Sequence, residues 1–469
     1  MSSIIANTKN IWRRSTRLTE SPFNNTNHSA ADKPRVTGSV KPTRSSPTED
    51  VITIAVVGCG QRGKAYANYA FRCPELCKIV AIAEPRPRTK QQFAQSHNID
   101  QTLVFDSWEE LLAASAETIV TVGKRLADAV IVAVQDHMHL EVVEAFSKQG
   151  YHVLCEKPMA TNPLDCLRME AAVKASGAIF GMGHVMRYSP YSKEITDIIR
   201  SGSLGELVNA VHVEPVGYYH FAHSDIDLLC HWFKPAIPVK ISSFGSLRHF
   251  RQSAKPTAAG NTTRCLDCPI ERNCPYSAKK IYLDPVSHGN TGWPVETIVD
   301  GLPDIENVTE ALRDGPYGRC VYESANDVCD NQVVNIEFSN GSTASFTMVA
   351  FTDAICDRQT RLHFSHGEII GNMNTFTVSD FRKRSTTTHR PRNEGGGHGG
   401  GDMGLISSFV EAVRTNQQKA LGTTIDEVVK SHLTVFAAEE SRLKGIVVDY
   451  PSFEMTIRKE MSAPTSGNP

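Results

Sequence analysis

The stretch VITIAVVGCGQRGKAYANYAF, residues 51–71, constrains the fold of this chain more than any other. Val51 to Val57 is a nearly unbroken β-branched run, the pattern of a strand covered on both faces. It passes straight into Gly58-Cys59-Gly60-Gln61-Arg62-Gly63 and then into a helical pattern carrying Ala65, Tyr66, Tyr69 and Ala70. The spacing GxGxxG, after a strand and at the start of a helix, is the fingerprint of dinucleotide binding. Gly58 allows the tight turn, Gly60 lets the backbone approach a pyrophosphate, and Gly63 lets helix and strand pack closely. The helix start, with Gln61 and Arg62 in it, turns unpaired N–H groups and a positive dipole end toward the phosphates.

Strand and helix then alternate. KIVAIAE, TLVF, DAVIVAV, YHVLCE and AIFGMGHV read as strands, with helical patterns between them. This predicts an α/β fold whose N-terminal Rossmann domain, residues 50–185, holds a right-handed, doubly wound parallel sheet. AETIVTVGKRL, 116–126, fits no element and reads as a surface insertion. After residue 186 the rhythm changes to runs of strands, with an Asn-Gly hairpin turn in FSNGST and two closing helices. Residues 186–450 therefore read as a C-terminal α/β domain with a large, mostly antiparallel sheet, and 451–469 as a tail. At 469 residues the chain exceeds what one hydrophobic core supports, which agrees with two domains.

A net charge of −2 argues against nucleic acid as a direct partner, and no apolar run is long enough to span a membrane. Residues 1–49 differ: the first 48 hold eight Lys and Arg against Glu20 and Asp32, with little apolar periodicity. They read as a disordered basic tail, which leaves a cytoplasmic location, or as a mitochondrial transit peptide around Trp12, Arg13, Arg14 and Arg17.

Glu84 ends the second strand, where an acid accepts hydrogen bonds from the adenosine ribose hydroxyls and favours NAD. The arginines just beyond it, Arg86 and Arg88, leave NADP open, since a guanidinium there can hold a 2′-phosphate.

The fingerprint, then AVQDHMH, then Glu156-Lys157-Pro158 after a strand, resembles the Gfo/Idh/MocA family of glucose–fructose oxidoreductase and inositol dehydrogenase. The resemblance covers roughly residues 51–445 and includes GGHGGGDMGLISSF near the end. It implies a Rossmann domain followed by an α/β domain whose open sheet joins a homo-oligomer. It also implies NAD(P)-linked dehydrogenation or reduction of a sugar, cyclitol or similar small molecule. Lys157 would reach the substrate oxygen, Glu156-Lys157-Pro158 would lie under the nicotinamide, and Gln135 and His139 would shape the loop beside it. Hydride transfer from a hydroxyl carbon needs a base and positive charge where alkoxide character develops, and a lysine supplies both.

HFAHSDIDLLCHWF, residues 220–233, departs from the family pattern of an Asp followed four residues later by a His. Aligned on Asp225-Ile226-Asp227-Leu228, Ser224 stands in the His position and His220 in the Asp position, with His223 one place out of register. One residue is about 100° of helix rotation, so such a slip moves a side chain off its face. Three readings stay open: His223 as acid/base oriented by Asp227, Lys157 acting alone, or a catalytically silent dinucleotide- or ligand-binding sensor.

Cys265, Cys268 and Cys274, with Cys320 as fourth ligand and Cys329 behind it, have the spacing of a structural zinc site. The alternative is reduced thiols. GGGHGGGD, 395–402, reads as a flexible loop with Asp402 capping the next helix and His398 as a weak substrate contact.

Overall fold

The computed structural model describes residues 51–215, 223–353, 356–393 and 395–463. Two sheets organise the molecule. The first contains β1 (Ile52–Val57), β2 (Cys77–Ala83), β3 (Val104–Phe105), β4 (Ala129–Val132), β5 (His152–Cys155) and β6 (Phe180–Met182). All pairings are parallel and the order is β3-β2-β1-β4-β5-β6, the doubly wound dinucleotide-binding order. Its strand order reverses between β1 and β4, so the crevice lies above their C-terminal ends, where the glycine turn sits.

Residues 116–122, expected as part of an insertion, instead continue one helix, Trp108–Val122. Ser107 caps its start and Gly123, at φ 74°, ends it. Val120 and Val122 are 85% and 67% exposed, so apolar side chains on the solvent face hid the helical period.

The second sheet comprises β7 (Leu207–Pro215), β8 (Pro238–Ser246), β9 (Asn331–Phe338), β10 (Thr343–Val349), β11 (Gln359–Phe364), β12 (Gly367–Gly371), β13 (Phe376–Asp380), β14 (Ser385–His389) and β15 (Val448–Asp449). The order is β14-β13-β12-β11-β7-β10-β9-β8-β15. β7 and β10 run parallel, and the other pairings are antiparallel. Helices His223–Trp232 and Ile425–Lys444 pack on one face, over inward residues such as Ala210, Ile241, Val334 and Phe346. One continuous apolar core joins both sheets.

The C-terminal segment read as a tail begins with a helix. Tyr450–Ser462 is a helix, capped by Asp449 and anchored by buried Tyr450 and Phe453. Pro451 stands in its first turn, where proline is tolerated, so it starts the helix rather than preventing one. No helix among the described residues is long and apolar enough to cross a membrane.

Between β8 and β9, residues 247–330 add no strand to either sheet. This segment has a small core of its own: Cys265, Ala278, Val295, Val308 and Leu312. Its longest helix, Ile305–Asp314, starts with a reciprocal capping box between Asp304 and Asn307.

Candidate nucleotide and active site

The glycine turn is built as its spacing requires. Gly58 has φ +91°, and a Cβ on it would lie 2.4 Å from the Ala133 carbonyl oxygen. A Cβ on Gly63 would lie 2.1 Å from the Gly58 oxygen, so a side chain at either place would push helix and strand apart. Gly60 is different. It caps helix Gln61–Ala67 without a side chain, and the nearest atom to its hypothetical Cβ is Arg86 Nη2 at 3.5 Å. The helix start is thus open on the side of a cavity lined by Cys59, Gly60, Gln61, Lys64 and Arg86. This donor-lined turn fits a pyrophosphate.

Glu84 is buried at the end of β2. One oxygen accepts from the Cys59 N–H at 2.8 Å and Arg86 Nη2 at 3.0 Å. The other accepts from the Arg86 backbone N–H at 3.0 Å and Nε at 2.7 Å. Burial alone would raise the Glu84 carboxyl, but the Arg86 bonds outweigh it and hold it below the usual range. Arg86, the guanidinium that left NADP open, spends its Nε and Nη2 on Glu84.

Glu156 stands directly after β5 and is 4% exposed. Arg62 Nε donates to its Oε1 at 2.7 Å, Tyr66 Oη–H at 2.5 Å, and the Lys157 N–H donates to Oε2 at 2.9 Å. Arg62 also donates to Asp402, through Nη2 at 2.9 Å and Nη1 at 3.2 Å. It thus ties the fingerprint helix to the lysine turn and to helix Gly401–Thr415. Asp402 lies within that helix rather than capping it; Gly400 is the cap, and His398 Nδ1 lies 3.0 Å from the Asp402 carboxylate. His139 is fully buried, with Nδ1 2.7 Å from the Pro158 carbonyl oxygen and Nε2 3.2 Å from that of Val134. It connects the end of β4 to the lysine turn. Gln135, one turn earlier, is exposed.

The stretch that broke the family pattern begins helix His223–Trp232; His220 lies outside the described residues. Asp225 and Asp227 are both fully buried. Asp227 accepts from Arg187 Nε at 2.5 Å and Nη2 at 2.6 Å, and its Oδ1 lies 2.9 Å from His184 Nδ1. Asp225 accepts from Arg358 Nε at 2.5 Å and lies 2.8 Å from His212 Nε2. Burial opposes ionisation of both acids, yet Arg358 and His212 hold Asp225 low, and Arg187 and His184 hold Asp227 low. Asp227 thus spends its carboxylate on Arg187 and His184, not as the expected orienter of His223. The His223 ring instead lies against His432, centroids 5.0 Å apart. His432 Nε2 in turn accepts the Met159 N–H at 2.9 Å, two residues beyond Lys157.

Glu214, at the end of β7, faces the same region. Burial pushes its carboxyl well above the usual range and Asp225 adds to this, while Arg358 and the Lys157 ammonium oppose it. Glu214 and Lys157 therefore share one electrostatic neighbourhood.

Residues 52–184 match the model of the oxidoreductase family with an NAD-binding Rossmann fold, GFO_IDH_MocA. Over these residues the chain is similar to the Gfo/Idh/MocA family. An inositol 2-dehydrogenase of Saccharopolyspora erythraea is 32% identical over 164 residues, 34% of this chain and 45% of that relative. A 2,7-anhydro-N-acetylneuraminate hydratase of Escherichia coli is 30% identical over 34% of this chain and 38% of the relative. The chain thus spans less than half the length of these curated relatives. The fold likeness extends further. The solved structure of levoglucosan dehydrogenase with NADH and levoglucosan superposes with TM-score 0.61 at 16% identity, covering 86% of this chain and 100% of that one. An Agrobacterium radiobacter oxidoreductase with NAD+, L-tartaric acid and magnesium gives 0.61 at 13% identity, covering 86% and 99%.

The expected zinc site is corrected. Among the described residues no group of three or more His, Cys, Asp or Glu side chains is arranged to hold a metal ion. Cys265, Cys268, Cys274 and Cys320 are near enough to influence one another electrostatically, but burial is what raises the Cys265 thiol first. Cys265 packs as an apolar side chain in the small core of residues 247–330.

His184, Arg187, His212, Glu214, Arg358 and His432 were not singled out from the sequence. A signal existed for two of them. In LVNAVHVEP, strict alternation with Ala210 places His212 and Glu214 on the buried face of β7, where polar groups call for partners. Arg358 carried no local signal; its partner lies 133 residues away.

Proposed function

We propose that the chain is an NAD-linked oxidoreductase acting on a hydroxyl or carbonyl carbon of a sugar, cyclitol or related polyol. The observation that carries this reading is the turn after β5. Arg62 and Tyr66 of the fingerprint helix clamp Glu156 and so fix Lys157 at the C-terminal edge of the sheet, where ligands of this fold lie. When bound, the dinucleotide supplies the hydride acceptor or donor. The Gly58–Gly63 backbone holds its pyrophosphate, and Glu84 lies at its adenosine ribose. Lys157 Nζ takes the substrate hydroxyl proton as the C–H bond breaks, and its positive charge stabilises the developing alkoxide. Glu214, paired with Arg358 and within the electrostatic reach of Lys157, is a candidate to pass that proton on, with His223 and His220 as imidazole alternatives. The inositol 2-dehydrogenase among the relatives supports this substrate class.

One observation favours a second reading, a dinucleotide sensor without turnover: Asp225 and Asp227 are both locked in arginine pairs, leaving neither for a proton relay. Purified protein incubated with NAD and with inositol, levoglucosan and anhydro-sugars decides between the two. Reduced nicotinamide accumulating with any of them supports the enzyme. Dinucleotide binding by calorimetry without turnover on the whole panel supports the sensor.

We also assign the open face of the nine-stranded sheet to a second copy of the chain. Phe244 on it is 72% exposed and pairs in register with Val333. A monomer in sedimentation equilibrium overturns this.

A further inference from the structure

The nucleotide cleft has a wall that the fingerprint does not supply. Part of the segment between β8 and β9, residues 291–303, lies across the first two βα turns and closes a cavity of about 370 Å³ against Gly60, Gln61 and Arg86. Within that segment Asp300 makes a specific connection. Helix Pro87–Ser96, which follows β2, starts at Arg86 with no side-chain cap of its own. Asp300, 212 residues beyond Arg88, caps it from the other domain: Oδ2 accepts the Arg88 N–H at 3.1 Å. Oδ1 accepts the Thr89 N–H at 2.8 Å and the Thr89 hydroxyl at 2.7 Å. The neighbouring Gly301 has φ +96°, and a Cβ on it would lie 2.9 Å from Arg88 Cδ, so the segment's backbone rests against the arginine stem.

The first free N–H groups of a helix, at the positive end of its dipole, form an anion site. Here that site directly follows Glu84, the acid at the adenosine ribose, and a carboxylate of the chain already fills it. We propose that Asp300 is a specificity-determining residue of the nucleotide site: it occupies the anion position a 2′-phosphate requires, so the chain takes NAD and rejects NADP. This rests on the dinucleotide-binding reading given above.

The local charge agrees. Arg86 is held by Glu84 through hydrogen bonds, and the charge of Asp300 also reaches it. Glu296 and Lys64 both line the cavity, so together they add no net formal charge to it. A 2′-phosphate would have to displace Asp300 from three hydrogen bonds or sit beside two carboxylates. A 2′-hydroxyl, neutral and able to donate, meets neither obstacle.

The test is titration of the full chain with NADH and NADPH, followed by nicotinamide fluorescence, for the parent protein and for Asp300→Asn, Asp300→Ser and Asp300→Glu. The parent is expected to bind NADH more tightly by at least about tenfold. The two neutral variants are expected to narrow that ratio about tenfold, through tighter NADPH binding, while Asp300→Glu keeps it. Asp300→Ser retains a small capping oxygen and decides the matter if the Asn variant does not fold. A ratio unchanged in the neutral variants, or a parent that prefers NADPH, overturns the role of Asp300 and leaves the nucleotide site standing. A folded parent that binds neither dinucleotide overturns the site itself.

Discussion

The turn after β5 and the helix at 223–232 both bury carboxylates beside arginines, yet to opposite ends. In the turn, Glu156 absorbs Arg62 and Tyr66, and the adjacent Lys157 is half-buried just past the end of β5. In the helix, Asp225 and Asp227 are themselves absorbed, each by a buried arginine and a histidine. The same kind of ion pair supports a presented side chain in one place and consumes the acids in the other. The lesson is that a carboxylate near a cleft is no measure of reactivity until its partners are known. A buried pair costs desolvation of both ions, so losing one partner leaves a charge with no compensation.

The sharpest way to break this contrast is to remove the presented group. Lys157→Ala is expected to lower turnover about 10³-fold while NADH affinity stays within about threefold, measured by steady-state kinetics and calorimetry. Equal loss of binding and turnover would make Lys157 a holder of cofactor instead.

On the helix the expected effect is on stability. Asp227→Ala leaves buried Arg187 with only Glu427, at 3.5 Å, as an acidic partner and is expected to cost about 3–5 kcal/mol in urea unfolding. Asp227→Leu combined with Arg187→Met is expected to recover most of it, because an apolar pair of similar size removes both charges. If the single variant costs under about 1 kcal/mol, the pair behaves as a surface ion pair and the contrast fails.

The glycine turn carries the same distinction at backbone scale. Gly58→Ala combines φ +91° with a clash on the Ala133 oxygen, and is expected to cost about 1–3 kcal/mol of stability. Gly60→Ala meets nothing nearer than 3.5 Å, so its unfolding midpoint should stay put while dinucleotide affinity falls about tenfold. A Gly60→Ala protein that is destabilised but binds normally would remove the pyrophosphate from that turn.

What could be read from the sequence follows the same division. β1, the glycine turn and its helix are contiguous, so hydrophobic run, spacing and helical period fall in one window; Glu156-Lys157-Pro158 is equally local. The pairs Arg187–Asp227 and Arg358–Asp225 join positions 40 and 133 residues apart, and the Asp300 cap spans 212. Nothing in either local stretch marks such a partner. The zinc expectation failed for a related reason: cysteine spacing is visible, but the apolar neighbours that make Cys265 a core residue come from as far away as Leu312.

The turn and the helix meet at His432, and pH is expected to separate them there. Its Nε2 accepts the Met159 N–H, so the ring proton sits on Nδ1 and is donated to the Val428 carbonyl at 2.8 Å. A second proton would take the lone pair that holds the lysine turn. Burial, reinforced by the neighbouring His184, lowers the His432 pKa to about 3. An unfolded histidine titrates near ~6.5, so between those values the unfolded chain binds a proton that the folded chain does not. Stability is therefore complete above about pH 6.5 and is lost as pH falls, by up to about 1.4 kcal/mol per unit for this group. His231, lowered to about 2, and His152, lowered to about 4, act in the same direction, each chiefly through burial. Asp225 and Asp227, held low in the fold, add their loss only once pH enters the ordinary carboxylate range. The urea midpoint should therefore drop between pH 7 and pH 5, before Asp225 or Asp227 is protonated, with Glu214, whose carboxyl is raised in the fold, opposing the drop. His432→Phe should flatten that slope while lowering the plateau by about 1–3 kcal/mol, because the Met159 N–H is left without an acceptor. A variant whose slope equals that of the parent would show that the histidine at this junction is not neutral in the folded chain.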